Sequence, residues 1–235
     1  MPYRKVTWNE SERRISIYNV GCNFRCIGCS YKLIAPPDAG RISPEHIEEL
    51  MLTHRPAKIT FLGGEPTTNP AIERLLRFAK EEVGAETWLG HTNGTRLPLP
   101  YLDGANVSFK AFSPAKHLEY TGYPADPIYD NFRAAFDAGL KLKASTVLIP
   151  GYVDLDEIEA MARFVASLDP AIPFHLMGYV PVPGTPWPRP TDEHMREAVE
   201  LVRSLLLNVT FSHLTAQEMR DWQTRSRRWA SVQIA

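Results

Sequence analysis

With 235 residues, the chain is long enough for one sizeable α/β domain or two very small ones. At 44% hydrophobic and 23% charged residues, with a net charge of −1, it reads as a soluble globular protein with no electrostatic footprint for nucleic acid or an anionic membrane. No apolar run approaches bilayer length, and the start Met1-Pro2-Tyr3-Arg4-Lys5 has no apolar secretion stretch, so the expected compartment is the cytoplasm.

Short β-branched or aromatic runs alternate with longer stretches of helical spacing. A first strand is expected at 14–18, followed at once by 21–29, which holds all three cysteines. The stretch 35–40 reads as a loop. Ser43, with Pro44 at the first helical position, opens a helix through about residue 53, ahead of a strand at 58–62. Asn69-Pro70 opens a helix through about residue 82, with Ile72, Leu75, Leu76 and Ala79 at helical intervals. Strands at 87–92 and 106–109, helices at 113–120 and 128–138, a strand at 142–148, a helix at 154–167 and a strand at 174–177 continue the rhythm. The segment 181–190 holds five prolines and cannot be helix or central strand; it is expected to run extended over the surface as a lid or contact segment. A helix at 192–206, a weaker strand at 209–213 and a helix at 216–229 complete the pass. The alternation predicts parallel βαβ units of the α/β class, curved into a partial (β/α)6 TIM-like barrel. One domain, 1–235, is expected, with a core at about 14–180 and a C-terminal strand and helix extension at about 181–235. In such a sheet, function gathers where the strands run into their following loops.

Cys22, Cys26 and Cys29 form a C-x3-C-x2-C loop, an odd set too tightly spaced for a disulfide framework. Three thiolates on one loop can hold three irons of a [4Fe–4S] cubane and leave the fourth iron open to a small molecule. Two other readings remain open at this point. A zinc site would take a fourth ligand from a residue such as His46 or His54, and unligated cysteines can pack as small hydrophobes.

One strand later, 58–62 ends in Gly63-Gly64-Glu65-Pro66-Thr67-Thr68. Adjacent glycines permit close backbone approach or positive φ, and a carboxylate at a strand end can accept from an ammonium group. An isolated GGEP is more often a tight turn with its glutamate in water or capping a helix. Here it stands beside the cysteine loop.

The cysteine loop after the first strand and the GGEP after the second resemble the radical S-adenosylmethionine (SAM) superfamily. Later segments are similar to glycyl-radical-enzyme activating enzymes, the group typified by pyruvate formate-lyase activating enzyme. They are His91-Thr92-Asn93-Gly94, 107–112 with Lys110, Lys116-His117, Thr121-Gly122, 146–152 and 173–178 with His175. The resemblance implies that Cys22, Cys26 and Cys29 hold one oxygen-sensitive [4Fe–4S] cluster and that Gly63, Gly64 and Glu65 receive the SAM amino group. It implies that Lys110 neutralises the SAM carboxylate and His175 lines the adenosine pocket, with Asn93 and Thr146 as ribose or methionine contacts and Thr67 near the amino-acid end. The implied activity is reductive cleavage of SAM to a 5′-deoxyadenosyl radical that abstracts a hydrogen atom from a glycine of a partner protein. The alternative substrate is a small molecule or peptide, and a flavodoxin or ferredoxin is the implied electron donor. A non-catalytic metal-binding module is the third reading, and it leaves GGEP and Lys110 unexplained.

Several positions depart from that pattern. Gly28 stands where an aromatic residue usually packs near the adenine, and Tyr31 is the candidate replacement. His91 and Ser108 stand where the activating enzyme has aspartates that help bind a monovalent cation, so no such cation site is expected. Ser145 stands where an arginine is sometimes found. His194, His213, His46 and His54 make no recognisable second metal set, and Arg225, Arg227 and Arg228 with Trp222 and Trp229 read as a terminal amphipathic helix rather than a partner surface.

Overall fold

A computed structural model describes residues 3–34, 41–215, 217–218 and 231–235. The expected loop at 35–40, nearly all of the expected helix at 216–229, and its arginine and tryptophan cluster lie outside the described residues.

The chain opens with β1 (Lys5–Asn9), which turns back to pair antiparallel with β2 (Arg14–Tyr18). Sequence patterning missed β1, five residues whose Lys-Val-Thr-Trp-Asn alternation is too short to stand out beside the charged turn that follows. A short helix, α1 (Tyr31–Ile34), and then α2 (Pro44–His54) lead to β3 (Lys58–Leu62). In α2 the Ser43 hydroxyl accepts from the His46 amide at 3.2 Å, as the capping signal predicts. The expected single helix at 69–82 is instead a 3₁₀ turn (Pro66–Thr68), α3 (Ile72–Phe78) and a π turn (Ala79–Val83) ending at Gly84 with φ 72°. The Glu65 and Asn69 side chains hold the 66–71 backbone in the tighter turn.

Next come β4 (Glu86–Thr92) and β5 (Gly104–Ser108), joined by a loop with no helix. The chain continues through α4 (Pro114–Thr121), α5 (Asp126–Asp137), β6 (Lys141–Leu148), α6 (Leu155–Leu168) and β7 (Phe174–Gly178). It ends with α7 (Asp192–Arg203), β8 (Val209–Ser212) and β9 (Val232–Gln233), the last paired antiparallel with β1.

From β2 to β8 every neighbouring pair is parallel and the strand order follows the chain without a reversal, while β9 returns to the far edge beside β1. A sheet that never reverses has no topological switch point and winds as an open barrel rather than a doubly wound sheet.

The two faces differ because side chains alternate along each strand. Ile15, Ile17, Ile59, Phe61, Leu89, Ala105, Val107, Ala144, Phe174 and Leu176 are all buried on one face, in one apolar cluster with Ile47, Leu75, Phe132, Met161 and Val202 of the helices. The opposite face carries Ser16, Thr60, Asn106, Ser108, Ser145 and His175, in matched register across the strands. It is the lumen of the partial barrel.

Candidate functional site

The cysteine loop leaves β2 at the sheet's C-terminal edge and is pinned from several directions. The Glu65 amide donates to the Gly21 carbonyl at 2.8 Å. The amides of Arg25 and Ile27 donate to the carbonyls of Thr121 and Tyr120, at 2.8 and 3.0 Å, tying the loop to the end of α4. Asn93 Nδ2 donates to Asn23 Oδ1 at 2.7 Å, and Asn23 Nδ2 to Thr95 Oγ1 at 3.0 Å, tying it to β4. Phe24 is buried between His117 and Tyr123, with ring centroids 5.6 and 5.3 Å away.

On this frame the three thiols are free, Cys22 exposed and Cys26 and Cys29 half-buried. Burial pushes the Cys22 thiol up and Cys26 to about 11, while the Lys110 ammonium pulls both down and the neighbouring thiols act on each other. The cysteines and Lys110 therefore share one electrostatic neighbourhood. A thiolate must form for metal to bind, so loading this loop releases protons. His46 is instead hydrogen-bonded to Glu49, and His54 packs on Trp8. Among the described residues no three His, Cys, Asp or Glu side chains are grouped around a single point. Three thiols on one pinned loop suit a group with several metal atoms, each taking one thiolate.

The glycines of GGEP permit close approach between loops. A Cβ on Gly64 (φ 52°) would lie 1.9 Å from the Gly21 carbonyl oxygen, and one on Gly63 (φ 84°) 2.9 Å from the Asn19 oxygen. Glu65 departs from expectation. Its side chain has no solvent exposure. Oε1 accepts from the Thr67 amide, Thr67 Oγ1 and Thr92 Oγ1 at 3.0, 2.7 and 2.8 Å, and Oε2 from the Asn93 amide at 2.6 Å. Burial raises this carboxyl while the four donors oppose the shift. A carboxylate offers about four lone-pair sites, so Glu65 braces β3 to β4 with little capacity left for an ammonium ligand. Thr67 is enclosed in the same brace. Asn19 completes it, donating to the Glu65 carbonyl at 2.6 Å and accepting from Asn69 Nδ2 at 3.0 Å. Sequence reading missed Asn19, Asn23 and Asn69, since lone asparagines carry no spacing signal.

Lys110 follows β5, and its ammonium donates to Ser108 Oγ at 2.7 Å with no carboxylate partner among the described residues. His91 is brought into the same lumen by a bulge in β4 between Leu89 and Thr92. Water reaches its ring, yet the surrounding protein and the charge of Lys110 hold it down at about 4. His175 Nδ1 and Nε2 lie 2.8 and 3.1 Å from the hydroxyls of Thr210 and Ser212 on β8. Thr146 is a correction: it lies one residue out of phase with this face, is fully buried, and donates to the Phe109 carbonyl at 3.2 Å. Asn93 is bound to Asn23, Thr95 and Glu65, and its amide nitrogen lies 3.8 Å from Cys22 Sγ.

The structure also explains Gly28. A Cβ there would lie 2.6 Å from the Tyr120 hydroxyl and 3.0 Å from the Tyr179 ring. Rings from α4 and from the end of β7 occupy the place a larger residue 28 would take. Tyr31, the expected substitute, packs elsewhere, its phenol hydrogen-bonded by the Gly64 backbone. Trp187, in the proline-rich segment, stacks on Tyr152 at 4.5 Å and lies 5.9 Å from Tyr120. With Val182 buried, Tyr179 Oη 2.8 Å from Thr185 Oγ1, and Arg189 bonded to the His213 carbonyl, 181–190 is an anchored strap. His213 and His194 pair with Asp192 and Asp154.

Residues 16–165 match the profile of the radical SAM superfamily, and the chain belongs to it. It is a radical SAM enzyme, of a family that works with a [4Fe–4S] cluster and SAM. The chain is 30% identical over 214 residues to MJ1632 of Methanocaldococcus jannaschii, provisionally described as a glycyl-radical enzyme activating enzyme; the match covers 85% of this chain and 80% of that one. It is 31% identical over 174 residues to a GTP 3′,8-cyclase of Pelotomaculum thermopropionicum, covering 66% of this chain but only 51% of that one. The fold matches a radical SAM methyltransferase from Sphaerobacter thermophilus with a TM-score of 0.64 at 20% identity, over 85% of this chain and 66% of that one. Among the described residues no helix is long and apolar enough to cross a membrane.

Proposed function

We propose that this radical SAM enzyme is of the activating type, taking a hydrogen atom from a glycine Cα of a partner protein. The observation that carries the reading is the convergence, on one sheet edge, of three free cysteines, the Gly63–Gly64 turn and a lysine bonded to a hydroxyl, with no acid partner among the described residues. Cys22, Cys26 and Cys29 would ligate the cluster. Lys110 would meet the SAM carboxylate, and the Gly63 and Gly64 carbonyls, in place of the braced Glu65 carboxylate, the amino group. His175 and Asn93 would bound the adenosine side. A cluster held there would supply the single electron for reductive cleavage of SAM to methionine and a 5′-deoxyadenosyl radical, the species able to take the hydrogen atom. The protein's own part is to hold the loop rigid, neutralise the carboxylate and keep the lumen open. MJ1632 supports the activating reading, and a flavodoxin or ferredoxin fits the one-electron donor.

The lumen favours a second reading, a small-molecule substrate. His91 and Ser108 replace acidic residues, leaving a basic, polar cavity. Anaerobic reconstitution with iron and sulfide analysis, then assay for 5′-deoxyadenosine under reducing conditions, tests the common part. Zinc without iron, or no 5′-deoxyadenosine from the loaded protein, sinks it. A glycyl-radical EPR signal on a co-expressed partner encoded nearby separates the first reading from the second.

A further inference from the structure

The lumen face of β4, β5 and β6 carries side chains that neither the cysteine loop nor the SAM contacts use. Asn106 and Lys143 are cross-strand partners and stand side by side on this face. The β4 bulge adds His91, next to Gly90, which packs so closely on Thr60 that a Cβ there would lie 2.6 Å from Thr60 Cγ2. His91 Nδ1 lies 3.5 Å from Asn106 Nδ2. The amide is a donor, so Nδ1 accepts and the proton sits on Nε2. Nε2 has no partner among the described residues. Asn106 Oδ1 and Thr60 Oγ1, at the same floor, are buried without hydrogen-bond partners, polar capacity the fold itself does not use.

Charge on this floor is unbalanced. The acid nearest these lysines, Glu86, is already shared by Lys58 and Lys141, at 3.3 and 2.9 Å. Lys143 has no carboxylate among the described residues; its ammonium stands 5.3 Å from the centroid of the Trp88 ring. Lys110 likewise has only a hydroxyl. SAM brings one carboxylate, which neutralises one of these two lysines.

We propose that His91, Asn106 and Lys143 bind a carboxylate of the substrate, the molecule that gives up the hydrogen atom. Lys143 supplies the charge, His91 Nε2–H a directed hydrogen bond, and Asn106 holds the imidazole. The inference rests on the reading of SAM at the strand ends. One lysine and a neutral imidazole match a monoanion, whereas a phosphate dianion would keep an uncompensated charge in the lumen. The group that enters the lumen is thus a singly charged carboxylate, on an acidic side chain of the partner or on a free organic acid, and the test separates the two. Lys143 lies two residues below Ser145, which is level with Ser108 at the end of β5, so its backbone sits roughly 7 Å below that strand's end.

Isothermal titration of the reconstituted protein with propionate, inorganic phosphate, a blocked neutral glycine-containing peptide and the same peptide carrying an aspartate tests this. Propionate, a monoanion, is expected to bind, Lys143→Gln to weaken it at least tenfold and Lys143→Arg to restore most of the loss. Lys141→Gln, whose ammonium is held by Glu86, is the control expected to bind as wild type. Tightest binding by the aspartate peptide, with the same dependence on Lys143, supports the carboxylate site and assigns it to a protein substrate. Phosphate bound more tightly than either carboxylate, a neutral peptide bound as well as the acidic one, propionate affinity unmoved by Lys143→Gln, or no carboxylate binding at all overturns it. Failure of the SAM reading shows separately, as no 5′-deoxyadenosine from wild-type protein.

Discussion

Two polar regions lie within a few strands of each other and are built on opposite terms. The brace around Glu65 is closed: its carboxylate, Asn19, Asn69, Asn93, Thr67 and Thr92 satisfy one another out of contact with water. The lumen around His91, Lys110, Lys143 and His175 is open, and Lys110 and Lys143 have no acid partner among the described residues. A closed network sets a shape and an open one receives a ligand, because burying an unsatisfied polar group is costly unless something arrives to satisfy it.

The sharpest way to break the contrast is to open the brace. Glu65→Ala strands four buried donors and should destabilise the fold by about 3–5 kcal/mol, since leaving the partners of a buried charge unpaired is heavily penalised. Urea unfolding should show it, together with loss of iron on reconstitution. Retention of both would mean the brace contributes little. Gly64→Ala should come next. Its Cβ would collide with the Gly21 carbonyl at positive φ, so a cost of roughly 2–4 kcal/mol and poor cluster loading are expected.

A smaller effect tests the aromatic replacement at residue 28. Gly28→Ala pushes on the Tyr120 hydroxyl and should cost about 1–3 kcal/mol, as overpacking does. Adding Tyr120→Ala should recover part of it, read as a positive coupling in a double-mutant cycle. Additive losses would show that the two positions do not compete for space.

The smallest expected effect belongs to the lumen. His91, His117 and His175 all sit below the ordinary histidine range, chiefly through burial. Their unfolded forms take up protons first, so stability should fall as pH drops from about 6.5 toward about 4. Lys110 repels the His91 proton and adds to this. His91→Gln should flatten the dependence of Tm on pH over that window. An unchanged slope would remove His91 from the account. The lumen, unlike the brace, should tolerate substitution with little loss of fold.

Much of this was legible in the chain itself. The cysteine spacing, the Gly-Gly turn and the strand-helix alternation predict the loop, its neighbour and the parallel sheet, because each is a local pattern with a local cause: tight turns need glycine, and a half-buried strand needs period-two alternation. Less local features were not. The hairpin partner β1 and the π turn after α3 depend on what packs against them. The same holds for individual residues. Glu65 and Thr146 read as ligand contacts along the chain, and burial turned both into structural ties. Gly28 read as a gap, and two distant tyrosines fill it.

From sequence alone came the donor set, three cysteines and a lysine at strand ends, since residue identity settles which atoms can bind metal or anion. Which of the many polar groups are consumed and which are left for a ligand was decided only by the tertiary structure. Satisfaction of a hydrogen bond is a relation between residues far apart in the chain, such as Glu65 with Asn93 or Glu86 with Lys141, and no single position encodes it.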